Sequence, residues 1–256
     1  MPTFDNSNIQ NYRNSYEISS LNLNPHDHKT NIRINLLLKY SQNKKRILDL
    51  CCGTGPYIQY VLTSENKIVG VDGVEKFLTV ARKSYVKCEN VSFVKADARS
   101  FIDVLPEQSF DILYSFCSLY YIPEISAVIK NVSAALAENG VAVLEFGNTK
   151  SINGLIAREN FKKGINAKLY GESFKIITKL LEDHQLQVKE KVFLQILNDY
   201  GTPKRLFYLF PFSGKFLKRF LAKEIAGRTV DERISALPLL RNFSFRYILV
   251  CEKHEI

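Results

Sequence analysis

The chain has 256 residues, 46% hydrophobic and 24% charged, the balance of a globular protein with material for one substantial core. Its opening, MPTFDNSNIQNYRNS, is polar, and no later apolar run approaches the roughly 20 residues needed to span a bilayer; this excludes membrane-spanning helices and predicts a cytoplasmic protein. Formal net charge is +9, and residues 204–228 alone hold seven basic side chains against Glu224, a net of +6, an asymmetry that can mark an anionic partner.

Apolar runs rich in Val, Ile and Phe recur at 46–50 (RILDL), 67–72 (KIVGVD), 91–96 (VSFVKA), 110–116 (FDILYSF) and 140–146 (GVAVLEF). Their near-continuous hydrophobicity predicts strands covered on both faces of a parallel sheet. Helical spacing is expected between them over 57–63, 74–85 and 125–136, the last behind Pro123. Strand alternating with helix is the pattern of a doubly wound α/β fold.

After Phe146 the rhythm changes. Residues 148–172 are polar and glycine-punctuated, Ser173 is the expected N-cap of a helix FKIITKLLED, and a strand is expected around 187–196. A second interruption, 198–240, precedes a last strand within 243–253. With no internal repeat, both interruptions are read as substrate-side insertions on one sheet in a single domain, 1–256, with residues 1–40 as an N-terminal helical cap.

The five cysteines are odd in number and mostly far apart, which predicts reduced thiols. Cys51 and Cys52 have no second Cys or His pair at zinc-ligand spacing, so no metal site is expected.

The chemistry concentrates in ILDLCCGTGPY, residues 47–57. A strand ending at Leu50 and followed by Gly53-Thr54-Gly55 turns tightly and aims unpaired N–H groups at a ligand beside the strand's C-terminal edge. Asp72 closes the second strand 23 residues after Asp49, near the offset at which a carboxylate reaches a ribose diol. Asp97, just past the third strand, could accept from an adenine amino group. A dinucleotide fingerprint is excluded because its third glycine is Ile58, and Pro56 removes an N–H; no P-loop lysine follows. An adenosine with an uncharged or zwitterionic tail fits better than one bearing phosphates.

In ILDLCCGTG, VGVDGV, VKADARSF, FDILYSFCSLYYIPE and AALAENGVAVLEF the chain resembles class I methyltransferases that use S-adenosylmethionine. That resemblance, good over about residues 40–150, implies a Rossmann-like, mostly parallel seven-stranded sheet with helical insertions after strands 5 and 6. It implies that Asp49, Cys51, Gly53 and Gly55 surround the methionine moiety and its turn, that Asp72 holds the ribose, and that Gly73 and Val74 flank the adenine. Asp97 and Ala98 would meet the adenine edge, backbone at Ser115 and Phe116 would approach the amine, and Tyr12 or Tyr16 would close over the cofactor, with S-adenosylhomocysteine as product. Two positions depart from the family: Cys51 stands where glycine is commoner, and Tyr120 where many relatives carry His.

The implied reaction is in-line attack by a substrate O, N or C atom on the sulfonium methyl, with the protein supplying orientation and a dry site. A hydroxyl acceptor would need a base, and Tyr120, Tyr121, Glu145, His26 and His28 are the candidates. FDILYSFCSLYY lacks the acidic ligands of the metal-dependent branch and the Asn/Asp-Pro-Pro-aromatic loop of DNA amino-methylating relatives, so neither magnesium nor DNA is expected.

Within the second insertion, Phe216, Leu217, Phe220, Leu221 and Ile225 fall on one side of a helical wheel, with Lys215, Lys218, Arg219 and Lys223 on the other. With Phe207, Tyr208, Phe210 and Phe212 this predicts a lid over an apolar pocket for a small or lipid-like acceptor, or a peripheral membrane contact through 204–228. RNA recognition by the same stretch is the rival reading, and a non-catalytic cofactor-binding module is a third.

Overall fold

A computed structural model describes residues 23–24, 27–44, 46–105, 109–164, 167–196 and 219–254. Tyr12, Tyr16, His26 and the aromatic run Phe207 to Phe212 lie outside them, as do Lys215 to Lys218.

In chain order the elements are α1 (His28–Ser41), β1 (Arg46–Leu50), β2 (Lys67–Asp72), α2 (Glu75–Ser84), β3 (Val91–Lys95), β4 (Phe110–Ser115), α3 (Ile125–Ala135), β5 (Leu136–Gly147), α4 (Ile152–Lys162), α5 (Phe174–Asp183), β6 (Leu186–Leu194), β7 (Glu224–Ile225), β8 (Arg228–Thr229), α6 (Val230–Ala236) and β9 (Arg246–Lys253). Seven strands form one sheet in the order β3-β2-β1-β4-β5-β9-β6. All neighbours are parallel except that β9 runs antiparallel between β5 and β6. This is the doubly wound, Rossmann-like architecture that the apolar runs predict.

Alternation along each strand divides the core into two layers. Ile47, Ile68, Ile112, Val143 and Ile248 face one side, where α1 lays Ile32, Leu36 and Leu37 on them. Leu48, Leu50, Leu113, Leu144 and Leu249 face the other, under Val128, Ile129 and Val132 of α3 and Phe174, Ile177 and Leu181 of α5. Both faces are closed, which is why the strands read as continuous apolar runs; truncating a fully buried member such as Leu113 to Ala costs about 2–5 kcal/mol.

Where the structure departs from the sequence reading, local side chains supply the reason. The helix expected over 57–63 is only a 3-10 turn, Ile58–Tyr60. Asn66, 4% exposed, donates to the Val61 carbonyl and accepts from the Thr63 N–H, taking backbone groups that a continuing helix would use. The first insertion contains α4, capped by Ser151, whose hydroxyl accepts from the Gly154 N–H at 3.0 Å. Ser173 precedes α5 as expected but makes no side-chain cap bond. The amphipathic helix expected through Ile225 does not reach it: Glu224–Ile225 pair with Arg228–Thr229 across a two-residue turn. Ala226 (φ 47°) and Gly227 (φ 72°) both adopt left-handed backbone there, the requirement of a type I′ hairpin turn.

Candidate active site

Strand β1 has β2 on one side and β4 on the other, so the connections leave its C-terminal end in opposite directions. That end is the topological switch point, where a doubly wound sheet opens a crevice. The glycine turn lies there: Cys52 N–H still bonds the Val71 carbonyl at 2.9 Å, and Gly55 N–H closes back on the Cys52 carbonyl at 2.9 Å. Cys51, Gly53 and Gly55 have φ of 61°, 56° and 74°. Two glycines meet that requirement freely; Cys51 meets it with a Cβ in place.

Asp72 ties the crevice together. Its Oδ2 accepts the Gly53 N–H at 2.8 Å and its Oδ1 the Val74 N–H at 2.8 Å. Burial pushes the carboxyl up to about 6 in spite of those two bonds. Each oxygen keeps a lone pair, so bracing the turn and gripping a ribose are compatible. At Gly73, between Asp72 and Val74, a Cβ would make only an ordinary contact, with the Ala96 carbonyl oxygen at 3.6 Å.

Asp49 is 3% exposed, and its Oδ2 has no protein hydrogen-bond partner among the described residues; the same holds for the fully buried Ser115 Oγ. Burial drives the Asp49 carboxyl up to about 8, a nearby Tyr114 hydroxyl pulls the other way, and Asp72 adds to the rise. Burial beside Asp72, Asp49 and Asp97 also holds the Cys51 thiol well above its ordinary range, so it is a poor thiolate. Orphaned acceptors at the ends of β1 and β4 are what a cationic amino-acid tail would satisfy, and in this respect the residues present fit S-adenosylmethionine.

Asp97 has a partner within the chain. Arg99 grips its carboxylate through Nε at 3.1 and 3.0 Å and through Nη2 at 2.6 Å, and the Arg99 N–H adds a bond to Oδ1 at 2.8 Å. The side chain assigned to adenine is therefore heavily occupied by its near neighbour, while Ala98 beside it is buried.

The candidate bases separate. Tyr120 is 2% exposed and burial holds its phenol well above the ordinary range, with the Arg246 guanidinium 5.0 Å from its ring opposing that rise. Such a phenol does not take up a proton at neutral pH. Glu145 is fully buried, and although burial works to raise it, Arg33 and Arg246 hold its carboxyl at about 2. Its lone pairs accept from Arg33 Nε (2.6 Å), Arg33 Nη2 (3.1 Å) and Arg246 Nη1 (2.9 Å). His28 is engaged with Asp231 at 3.1 Å, and that carboxylate also accepts the Gln195 N–H at the end of β6, four strand positions from β1 or about 19 Å across the sheet. The structure thus gathers Asp49, Cys51, Gly53, Gly55, Asp72, Gly73, Val74, Ser115 and Phe116 around the ends of β1, β2 and β4 and leaves His28 beside the end of β6, away from them. Tyr121, half-buried, packs 4.8 Å from the Tyr120 ring.

Residues 47–140 match the family model described as a methyltransferase domain. Over that stretch the chain is similar to methyltransferase domains. Among proteins similar to it, trans-aconitate 2-methyltransferase of an Enterobacter species is 32% identical over 101 residues, 39% of this chain and 38% of that one. The tRNA U34 carboxymethyltransferase of Alteromonas mediterranea is 27% identical over 109 residues, 40% of this chain and 32% of that one. The matches thus span about two-fifths or less of these curated relatives. The N-methyltransferase NodS of Bradyrhizobium japonicum, solved with S-adenosylhomocysteine, superposes with a TM-score of 0.61 at 16% identity, over 98% of this chain and 100% of that one, a likeness of fold.

Of the stretch 204–228 to which a membrane or RNA contact is assigned, residues 219–228 form a short helical end and one strand pair, and 204–218 lie outside the described residues. Among the described residues no helix is long and apolar enough to cross a membrane.

Proposed function

We propose that this protein is an S-adenosylmethionine-dependent methyltransferase acting on a small or lipid-like molecule. The observation that carries the reading is the Asp72 carboxylate bonded to Gly53 N–H at the switch point, with the buried, unsatisfied Asp49 Oδ2 and Ser115 Oγ beside it. The bound cofactor supplies an electrophilic methyl on a sulfonium. The chain's own part is to hold and exclude: Asp72 grips the ribose while fixing the turn, Asp49 and Ser115 satisfy the amino-acid end, and Tyr57 and Phe116, with ring centroids 4.9 Å apart, keep water from the crevice.

Tyr120 and Glu145 act in this reading as wall and anchor. A base at either position would have to work against the charges and burial described above, so the acceptor atom is one that needs little proton removal before attack, or one served by Tyr121. Isothermal titration with S-adenosylhomocysteine tests the reading: micromolar binding supports it, and no heat at millimolar ligand overturns it.

An RNA acceptor is a second reading, favoured by the basic content of 204–228 and by similarity to a tRNA-modifying relative. A steep fall of RNA affinity with salt would favour it; no retention of tRNA at low salt would remove it.

A further inference from the structure

Two buried polar groups meet across the first and fourth strands. Asp49 of β1 stands opposite Tyr114 of β4 in parallel register, and residues so paired project to one face of the sheet from backbones about 4.8 Å apart. That face is the α1 layer, where Ile47, Ile112 and Tyr114 all pack. Asp49 is 3% exposed and Tyr114 fully buried. Neither the Asp49 Oδ2 nor the Tyr114 hydroxyl has a hydrogen-bond partner among the described residues. The two groups are nevertheless near enough to act on each other: burial raises both, the carboxyl adds to the rise of the phenol, and the phenol opposes the rise of the carboxyl.

Among the described residues, the other titratable groups that act on the pair are themselves acids: Asp72 on β2, Cys51 and Cys52 in the glycine turn, and Tyr85 just past α2. From α1 the layer receives Ile32, Leu36 and Leu37, while Arg33 is bonded to Glu145. On β2 the residue opposite Asp49 is Gly70, where a Cβ would meet the Phe93 ring at 2.6 Å and the Cys52 sulfur at 3.0 Å. Asp49 therefore has Tyr114 on one side and a packed wall on the other, and the phenol is the donor placed to serve it. A phenylalanine would fill the same volume against Phe116, whose ring centroid lies 5.7 Å away, without burying an orphan hydroxyl, which destabilises a core. The hydroxyl gains its partner when Asp49 ionises, because a carboxylate accepts a strong, charge-assisted bond.

We propose that Tyr114 is a positioning residue for the amino-acid end of the cofactor, its hydroxyl holding the Asp49 carboxylate in the charge state and orientation that a bound ammonium requires. The inference rests on the methyltransferase reading for the identity of that ammonium. As the ammonium binds, Asp49 releases its proton to solvent and Oδ2 accepts from the phenol, which keeps its own proton throughout. Tyr114 touches neither the sulfonium nor the acceptor.

The test titrates the full chain and its Tyr114→Phe variant, between pH 6 and pH 8.5, with S-adenosylhomocysteine and with 5′-methylthioadenosine, which lacks the amino-acid end. Tyr114→Phe is expected to lose about tenfold or more in affinity for the first ligand at pH 7 and nothing for the second. Its affinity for S-adenosylhomocysteine should also level off at a higher pH than the parent's, because the donor that favours the ionised carboxylate is gone; a merely structural role would leave that profile in place. An unchanged affinity, an equal loss for both ligands or an unmoved pH profile overturns the proposal. Should Tyr114→Phe not fold, Tyr114→Met removes the same donor and is read in the same way. A parent that binds neither adenosyl ligand overturns the methyltransferase reading and this proposal with it, whereas a parent that binds both, with a variant indistinguishable from it, sinks the proposal alone.

Discussion

The Gly53 N–H and the Asp72 Oδ2 lie 2.8 Å apart, so the carboxylate expected to hold a ribose also fixes the turn beneath it. Asp72→Ala removes that bond and the one from Val74, leaving two inward-facing N–H groups without their acceptor. S-adenosylhomocysteine affinity is expected to fall on the order of 100-fold, with about 1–3 kcal/mol lost from stability. Asp72→Asn, which keeps one acceptor oxygen, should recover part of the stability and less of the affinity. Titration and urea melts of both variants measure this; unchanged affinity in Asp72→Ala would show that the ribose is held elsewhere.

Cys51 offers a test of backbone strain. At φ 61° a residue with a Cβ sits about 1–2 kcal/mol above glycine, while glycine loses about 0.5–1 kcal/mol to the freedom it gains in the unfolded chain. Cys51→Gly should therefore be neutral or stabilising by up to ~1 kcal/mol, whereas Cys51→Val, branched at Cβ, should destabilise by about 2 kcal/mol or more. A clear destabilisation by glycine would mean that the thiol's packing outweighs the strain.

Much of this edge is legible in the sequence because spacing carries it. The glycine pair after an apolar strand and the carboxylate 23 positions beyond Asp49 are local signals, and the strands stand out because both of their faces are buried. The Arg33–Glu145–Arg246 triad is not legible that way, since its members lie 112 and 101 residues apart. Its one trace is a charge inside each of two apolar runs, Glu145 in GVAVLEF and Arg246 in FSFRYILV, positions that demand a buried partner without naming it. The bounds of helix α4, expected only as a helical insertion after strand 5, are hidden for a different reason. Gly154 in its first turn reads as a breaker, yet a Cβ there would meet the Thr149 backbone at 2.5 Å, so close chain approach, which spacing does not encode, requires the glycine.

Stability should depend on pH in a direction set by the raised carboxyls. Asp49 at about 8 and Asp72 at about 6 bind protons in the folded, ligand-free protein that the unfolded chain has already released, so folding stability falls as pH rises from about 4 toward 8. The loss is on the order of a few kcal/mol for Asp49 alone. Asp49→Asn should flatten the slope, and S-adenosylhomocysteine, whose ammonium favours the ionised carboxylates, should be bound with proton release in that window. Denaturant melts at pH 5, 6, 7 and 8, together with titrations in buffers of different ionisation heat, check both statements. A parent protein more stable at pH 8 than at pH 5 would contradict the first.

Glu145 has the opposite sign. Held at about 2 by Arg33 and Arg246 in spite of its burial, its contribution is fully present above the unfolded value near 4.5 and is lost as pH falls toward 2. Glu145→Gln therefore leaves two buried guanidiniums facing each other without their anion, and about 3–5 kcal/mol of stability should go with it. Arg33→Met combined with Glu145→Leu removes one charge of each sign and fills the space with apolar volume, so this pair should be less damaging than Glu145→Gln alone. Denaturant melts of the parent, Arg33→Met, Glu145→Leu and the pair close the double-mutant cycle. A coupling near zero would mean that the triad does not hold α1 to the sheet.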